Sequence, residues 1–582
     1  MKLINSAKIY FFIFFISTFL IFSQCEQIVE DWEVNHLTDD FIQFYAKSFP
    51  IEASLMGIHK YDNRLDNYNF ENIEQIINQL NIFSDRLSLV DTSSISFNSR
   101  VNYFIVKKQV NYLFLELNEW KRWKYDSHFY VRKLFDAFDA LLCQSSDSLN
   151  VVPEKILGRV KMAPEFLNNA RDNLTTIDPI NIDCALDQIE ILKNRVAFQI
   201  SKVQVFNSSL LDSLNYYSEI MFDSLDSFQG FLTNTKNKIQ PVSNPLNTQL
   251  YQSLLTELLE EDIQLDSLIK TVEKDYQNTV RKMAAIARYY FKEQDKSYEN
   301  IGDVKLCKLM IDEINKDVPR KDQIIPLCRE MDNYYKRFID EIAFLSLPID
   351  YSISISWRRT DRMFPEKLIK LVPVGLMGDD ISFAIRLKPI PNDEEWIAQL
   401  SLLRNYNKAS LKAAMLLDGF PIHYNYWFKM RKKLPGAVKT FPEQTILAGL
   451  PFNFASALIE LGLGGFDPML EFSLLENYAK TIFFALVELK YYFLQYSQGQ
   501  VDSLFKVSKL FNLNQSKEAF KEYNCFPGQN LLTYWGIRQL KQIEETCHKI
   551  KKRKFNKREF YKYVLQQGPI PVKLLEEKLY NH

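Results

Sequence analysis

The sequence predicts a mainly α-helical protein, a large multi-helical body with at most a small β element near residues 350–390. Three observations lead to this prediction. The 582-residue chain contains only 16 glycines, against roughly 7% in average proteins, and an all-β fold needs many more positions of positive φ. Apolar residues recur at steps of three and four along most of the chain, as in amphipathic helices. Only two short segments alternate with the period of a strand.

The first 25 residues have the pattern of a signal peptide. Lys2 and Lys8 flank the start of an uncharged, mostly apolar stretch over 9–22, which is long enough for a signal-peptide core and short for a membrane-spanning helix. Cleavage is expected near Ser23-Gln24-Cys25. Alternatively, Cys25 is the lipidated cysteine of a bacterial lipoprotein, although Gln24 is larger than the residue usual before it. Both alternatives predict an exported protein, periplasmic or in the cell envelope if bacterial and otherwise secreted.

Residues 26–582 are predicted to form a single helical domain, because no linker or fixed-period repeat divides them. The clearest helix spans 249–292, where leucines and other apolar residues recur with Glu, Asp and Lys between them; its length predicts a break or bend near the middle. The apolar run over 446–463 predicts a buried central helix. Similar three- and four-residue spacing predicts helices over 67–89, 93–115 and 156–174.

Two segments predict the β element. Ser352–Trp357 reads Ser-Ile-Ser-Ile-Ser-Trp and alternates with period two, and Phe383–Leu387 is its candidate partner. Both are short, so the sequence places them as a minor addition to a helical body.

Charge and cysteine usage limit the classes of function. The chain has 71 Lys and Arg against 72 Asp and Glu, and a nucleic-acid binder would show a basic excess. The basic run over 549–557 is interpreted as a solvated helix end. No C-x-x-C zinc or redox motif occurs. Six cysteines follow Cys25, either paired in an exported protein or buried as free thiols: Cys143, Cys184, Cys307, Cys328, Cys525 and Cys547.

Three segments of the C-terminal third carry a recognisable pattern. They read LKAAMLLDGFPIHYNYW over 411–427, TILAGLPFNFASALIELGLGGF over 445–466 and YNCFPGQNLLTYWG over 523–536. With the N-terminal segment over 50–65, PIEASLMGIHKYDNRL, they resemble a bacterial family known as domain-of-unknown-function family eight hundred eighty-five. Its motifs are H-E-x-x-P-G-H-H, E-G-W-A-L-Y and Y-x-x-x-P-G-Q-A. The resemblance implies an exported, mostly helical body of the zinc-metallopeptidase type.

The first motif departs from the family at its chemical positions. Leu417 takes the place of the first His, and Asp418 that of the Glu. Ile422 replaces the Gly, His423 is retained, and Tyr424 replaces the last His. Asp418 is one methylene shorter than the Glu that would act as general base, so its carboxylate is expected to fall short of a metal-bound water.

The second motif departs as well, because Phe452 stands where the family has its Glu. A catalytic zinc needs three protein ligands and one open position. Leu417 and Phe452 offer no lone pair, and His423 alone cannot hold a metal. The sequence therefore predicts no metal, no cofactor and no catalytic residue at these positions.

The third motif is better retained. Tyr523 and Gln529 fall where the family has its own Tyr and Gln, whereas the family's second Tyr lands on Thr533, with Tyr534 one position late. Without zinc a tyrosine has no metal-bound oxyanion to stabilise, so these residues are interpreted as lining a cleft or packing. His59 of the N-terminal segment is interpreted as a cap or as an ion-pair partner of Asp62.

The sequence thus favours an exported, non-catalytic homologue of this family that binds a peptide or another exported protein through the inherited cleft. It predicts no nucleic-acid partner, and a membrane contact only through a lipid anchor at Cys25. The alternative is a hydrolase, a peptidase with a site rearranged around Asp418, His423, Glu443 and Tyr523. A structural envelope protein without any cleft is the third interpretation.

Overall fold

The fold is known from a computed structural model. It describes residues 28–143, 153–202, 208–238, 246–261, 263–294, 298, 300–344, 353–357, 368–374, 382–388, 390, 396–419 and 434–581. The predicted signal peptide with Cys25 lies outside these residues, and so does the segment 420–433 with Ile422, His423 and Tyr424.

The described residues are mainly helical, which confirms the predicted fold class. The helices of the first part are α1 (28–48), α2 (Pro50–Met56), α3 (Phe70–Ser88), α4 (Phe97–Phe114), α5 (Ser127–Cys143), α6 (Pro153–Asn173), α7 (Pro179–Lys202), α8 (Ser208–Lys236), α9 (Thr248–Leu259), α10 (Leu265–Lys292), α11 (Asp303–Ile314) and α12 (Lys321–Glu341). Those of the second part are α13 (Trp396–Arg404), α14 (Lys408–Ala414), α15 (Gly436–Thr440), α16 (Gln444–Glu460), α17 (Pro468–Phe493), α18 (Gln498–Ser508), α19 (Leu513–Cys525), α20 (Gln529–Lys551), α21 (Lys557–Gln567) and α22 (Val572–Asn581).

Two α-helices continue into a π-helical turn. Leu115–Trp120 extends α4, and Met415–Gly419 extends α14. Such turns insert an extra residue into the helical ladder and are frequent at functional sites. Both turns carry residues of interest below.

The long helix predicted over 249–292 is broken, as its length suggested. α9 ends at Leu259, Glu260 adopts a left-handed conformation with φ 56°, and α10 begins at Leu265. The predicted buried helix is α16, which begins where the Glu443 carboxylate accepts the Thr445 N–H. The helices predicted over 67–89, 93–115 and 156–174 correspond to α3, α4 and α6.

The β element is a three-stranded sheet of β1 (Ile353–Trp357), β2 (Ile369–Val374) and β3 (Ser382–Leu387), in the order β1-β3-β2. β1 pairs with β3 in parallel, so the two predicted strands are indeed partners. β2 was not predicted, because Pro373 lies inside it. An edge strand tolerates a proline, since one side of its backbone needs no ladder hydrogen bond.

Apolar side chains of the described helices gather in three buried clusters. The largest cluster joins the N-terminal helices to the sheet and to α16. It also contains Leu117 of the first π turn and Leu417 of the second. The second contains Tyr251, Tyr492 and Tyr523, and the third joins α10 to α11. Among the described helices, none is long and apolar enough to cross a membrane.

Candidate functional site

The first motif lies on the second π turn, directly after α14. Leu417 is 4% exposed and belongs to the largest apolar cluster, while Asp418 is half-buried. The turn contacts α16, so the first two motifs are neighbours in the fold. Ile422, His423 and Tyr424 lie outside the described residues.

The second motif presents an aromatic side chain. Phe452 is half-buried on α16, packs against the largest cluster, and has its ring 6.0 Å from that of Tyr478. Among the described residues, no group of three His, Cys, Asp or Glu is placed to hold a metal ion. Leu417 and Phe452 stand where the resemblance implies ligands and offer no lone pair, so the described residues do not fit the zinc that the resemblance implies.

The third motif is buried around Tyr523. Its side chain is fully buried, and its carbonyl accepts a 2.8 Å hydrogen bond from the Tyr492 hydroxyl. Tyr251 stacks on Tyr492 with ring centroids 4.5 Å apart. The Tyr523 hydroxyl has no hydrogen-bond partner among the described residues, and burial raises its pKa well above the ordinary value. Tyr523 therefore lies in the core of the described fold and away from solvent.

A buried carboxylate holds the start of α20. Glu488 of α17 is fully buried, and its carboxyl accepts the Gly528 N–H and, at 3.4 Å, the Tyr251 hydroxyl. Burial raises the pKa of Glu488 to about 8, although backbone N–H groups at this helix start act to lower it. Gly528 has φ 87°, and a Cβ there would lie 2.6 Å from Leu258. Gln529 is the first residue of α20, so the Pro-Gly-Gln motif serves as a helix start.

Glu443, a residue of the hydrolase alternative, belongs to an ion cluster. Lys108 Nζ lies 2.7 Å from Glu443 Oε2 and 3.3 Å from Glu260 Oε1. The Glu443 side chain is 2% exposed and also caps α16. Burial, and next to it the Glu443 charge, raises the pKa of Glu260 to about 7. The Glu443 carboxylate is thus held by both the Lys108 ammonium and the backbone N–H of Thr445 at the start of α16.

The N-terminal segment carries a second cluster. His59 Nδ1 lies 3.0 Å from Asp62 Oδ2, so His59 contacts Asp62 as predicted. Lys155 and Ser54 each reach the Asp62 carboxylate at 2.6 Å. These three hydrogen bonds outweigh burial and hold the pKa of Asp62 far below its ordinary value.

A cavity of about 380 Å³ lies between α1, α2, α4, α5 and the segment after α19. This is within the usual range for small-ligand sites. Two segments of the family resemblance line it, since Glu52 and Leu55 come from the N-terminal segment and Phe526 from the third motif. Seven aromatic side chains line it beside as many charged or polar ones; the aromatic residues are Tyr45, Phe49, Tyr68, Tyr112, Trp123, Phe129 and Phe526.

Three basic side chains line the cavity, and each is paired with a carboxylate. Lys133 Nζ lies 2.7 Å from Glu52 and 3.5 Å from Asp66. The other two pairs are Arg132–Asp136 at 2.7 Å and Arg122–Asp126 at 2.6 Å. Arg132 also lies over the Phe526 ring, 5.1 Å from its centroid.

Glu116 is the remaining charged group of the cavity, and it is carried by the first π turn. No basic group of the described residues lies within ion-pair distance of its carboxylate; Lys133 and Arg122 act on it only at longer range. Burial raises the pKa of Glu116 and, separately, those of Asp66 and Asp136. The lining thus holds three carboxylates and three bases, and Glu116 is the carboxylate among them without a base within ion-pair distance. Sequence reasoning missed Glu116, because nothing in its neighbours marks a π turn.

No protein-family model matches the chain, and no curated protein matches it. Two solved structures share its fold. A "putative lipoprotein of unknown function" from Shewanella oneidensis has a TM-score of 0.78, covering 93% of this chain and 98% of its own at 14% identity. A "putative lipoprotein" from Colwellia psychrerythraea has a TM-score of 0.77, covering 95% of this chain and 99% of its own at 13% identity. At such low identity these similarities establish the fold alone.

Proposed function

We propose that this protein is an exported pseudoenzyme, a non-catalytic relative of the zinc-metallopeptidase-like family that binds the amino-terminal end of a peptide. Three features support the proposal. Leu417 and Phe452 stand at ligand positions of the family motifs. The first 25 residues have the pattern of a signal peptide ending at Cys25. Two proteins of similar fold are each described as a "putative lipoprotein", which agrees with export and with a lipid anchor at Cys25 as the membrane contact.

The observation that carries the binding role is the unpaired Glu116 carboxylate in an aromatic-walled cavity. Glu116 is half-buried, and a carboxylate in such surroundings loses part of its hydration without gaining a charge partner. An ammonium group that enters the cavity would restore a charge partner, and the tyrosine and phenylalanine faces would attract the same cation through their π electrons.

A peptide amino terminus fits this chemistry better than a metal ion. The cavity is large enough for a terminal residue with its side chain, whereas a bare ion would leave the aromatic walls uncovered. The Gln109 amide on α4 also lines the cavity and can pair with a peptide group. The rest of a bound peptide would leave through the open side.

Calorimetric titration tests the proposal with short peptides that carry either a free or an acetylated amino terminus. Free peptides are expected to bind, and acetylation should weaken binding at least tenfold, because it removes the charge facing Glu116. Glu116→Gln should cause a similar loss. Glu119→Gln is the matched control, since Glu119 is an exposed residue of the same π turn. Equal binding of acetylated peptides, or equal affinity of both variants, would contradict the proposal.

The hydrolase alternative requires Glu443 and Tyr523 to act on a substrate. Glu443 is bound to Lys108 and Tyr523 is fully buried, and both positions weigh against it. Incubation with a diverse peptide mixture, read by mass spectrometry, tests this alternative directly. Cleavage of the peptides by the wild-type protein that is lost in the Asp418→Asn variant would favour the hydrolase over the pseudoenzyme.

A further inference from the structure

Cys184 and Cys525 bring two free thiols together in the core. Cys184 lies on α7 and is 2% exposed, and Cys525 ends α19 and is 1% exposed. The two helices pack against each other, and Cys184, together with burial, raises the pKa of the Cys525 thiol, as expected for neighbouring thiols. The residues are far apart in the sequence, so the fold alone makes them neighbours.

An ion pair fixes the same alignment one helical turn away. Lys521 Nζ lies 2.7 Å from Asp187 Oδ2. Asp187 follows Cys184 by three residues, and Lys521 precedes Cys525 by four, so each pair shares one face of its helix. The helices therefore run antiparallel with the two cysteines face to face. Facing positions on two packed helices are places where an interhelical disulfide can form.

We propose that Cys184 and Cys525 form an intramolecular disulfide when the chain is exported. The oxidant is a disulfide of the compartment, either a small dithiol–disulfide couple such as oxidised glutathione or a protein disulfide of the same class. One thiolate attacks that disulfide, forms a mixed disulfide and releases one thiol of the oxidant. The second thiolate then attacks the protein sulfur of the mixed disulfide and displaces the other oxidant thiolate. The products are the Cys184–Cys525 bond and two reduced thiols of the oxidant, so two electrons and two protons leave the protein.

The bond would fix the start of the third motif, to which Cys525 belongs. Arg122, which lines the cavity, donates a 2.6 Å hydrogen bond to the Cys525 carbonyl. Phe526, the next residue, forms part of the cavity wall. A covalent link from α7 to Cys525 therefore restrains one wall of the cavity, and it closes a long loop of the unfolded chain, which stabilises the fold.

Peptide mapping of the full chain tests this proposal. The protein is exported to the periplasm of a bacterial host, purified without reductant, alkylated in denaturant, digested and analysed by mass spectrometry. We expect the Cys184 and Cys525 peptides to appear as one linked species that separates on reduction. Cys307 and Cys328 serve as controls, because each is buried and both should be alkylated. The wild-type chain should also unfold several degrees higher than its reduced form.

Two results would overturn the proposal: alkylation of both Cys184 and Cys525, or a link from either one to another cysteine. The Cys184→Ala variant tests whether Cys525 pairs with another cysteine. If the proposal is right, Cys525 should be recovered alkylated and unlinked from this variant. Should this variant not fold, the reduced wild-type chain refolded with oxidised and reduced glutathione gives the same readout. Peptide binding is not measured in either arm, so this outcome is independent of the proposed function.

Discussion

Gly449 and Gly536 face each other where α16 crosses α20, and neither position has room for a Cβ. A Cβ on Gly449 would lie 2.1 Å from the Gly536 carbonyl carbon, and one on Gly536 would lie 2.0 Å from the Thr445 carbonyl oxygen. Asn453 reinforces the crossing, because its side-chain amide donates to the Gly449 and Ile537 carbonyls. The helix of the second motif is thus held against that of the third by backbone contact.

Gly536→Ala should therefore destabilise the protein, because the two backbones would have to separate. Overpacking of this kind costs about 1–3 kcal/mol or more, measurable as a lower midpoint in denaturant unfolding. Gly499→Ala is the matched control: it lies in α18 with no atom within 4 Å of its Cβ position, and alanine favours a helix. Equal stability of the two variants would contradict the close backbone contact between α16 and α20 at Gly536.

Glu488 predicts a pH dependence of stability. Its pKa in the folded protein is about 8, against an ordinary value of 4.5. Between these values the unfolded chain has lost the proton and the folded chain retains it, so the free energy of unfolding falls as pH rises. The slope from this group is at most about 1.4 kcal/mol per pH unit. Unfolding measured from pH 5 to pH 9 checks it.

Glu488→Gln should remove that slope, because glutamine is a neutral side chain of the same shape that still accepts the Gly528 N–H. Glu518→Gln is the control, since Glu518 is exposed on α19. A wild-type pH slope that persists in Glu488→Gln would mean that another group is responsible.

The sequence predicted much of the fold, because helical spacing is a local property. The sequence also indicated the break near Glu260, the pairing of β1 with β3 and the contact of His59 with Asp62. Each of these features shows in the residues of the segments concerned. β2 was missed because Pro373 is usual only at a sheet edge, and an edge position becomes visible only when the whole sheet is known.

The site was less predictable than the fold. The three motifs directed attention to Leu417, Phe452 and Tyr523, which are buried or half-buried in the described structure. The cavity combines residues from 45 to 136 with Phe526, and such long-range proximity leaves no periodic signal. Glu116 depends further on a π turn, which no residue pattern around it indicates.

The ion pairs of Lys108 should make a measurable contribution to the free energy of unfolding. Lys108 is the partner of both Glu443 and Glu260, so Lys108→Met would leave the buried Glu443 carboxylate and the partly buried Glu260 carboxylate without a counter-ion. Loss of one partner from a buried ion pair costs about 3–5 kcal/mol. Burial and the Glu443 charge already raise the pKa of Glu260 to about 7, so the loss should be smaller at pH 5 than at pH 8. Chemical unfolding at both values measures it.

Lys107→Met is the control for that experiment, because Lys107 is the exposed neighbour on α4. It should change stability by less than about 0.5 kcal/mol at either pH, as expected for a surface substitution. A Lys108→Met loss that is equal at pH 5 and pH 8 would argue that packing, and not the unpaired carboxylates, causes it.

The purified protein should contain no stoichiometric zinc, because Leu417 and Phe452 supply no ligand atom where the family motifs have His and Glu. Elemental analysis of the wild-type chain measures the zinc content, with thermolysin as the zinc-containing standard. Added zinc should also leave the thermal midpoint unchanged, since only a ligand that binds the folded state raises it. Two results would contradict this prediction: one zinc per chain, or a thermal midpoint that rises with zinc and falls again with chelator. Either would show that residues beyond these two positions complete a metal site. The pseudoenzyme proposal would then fail.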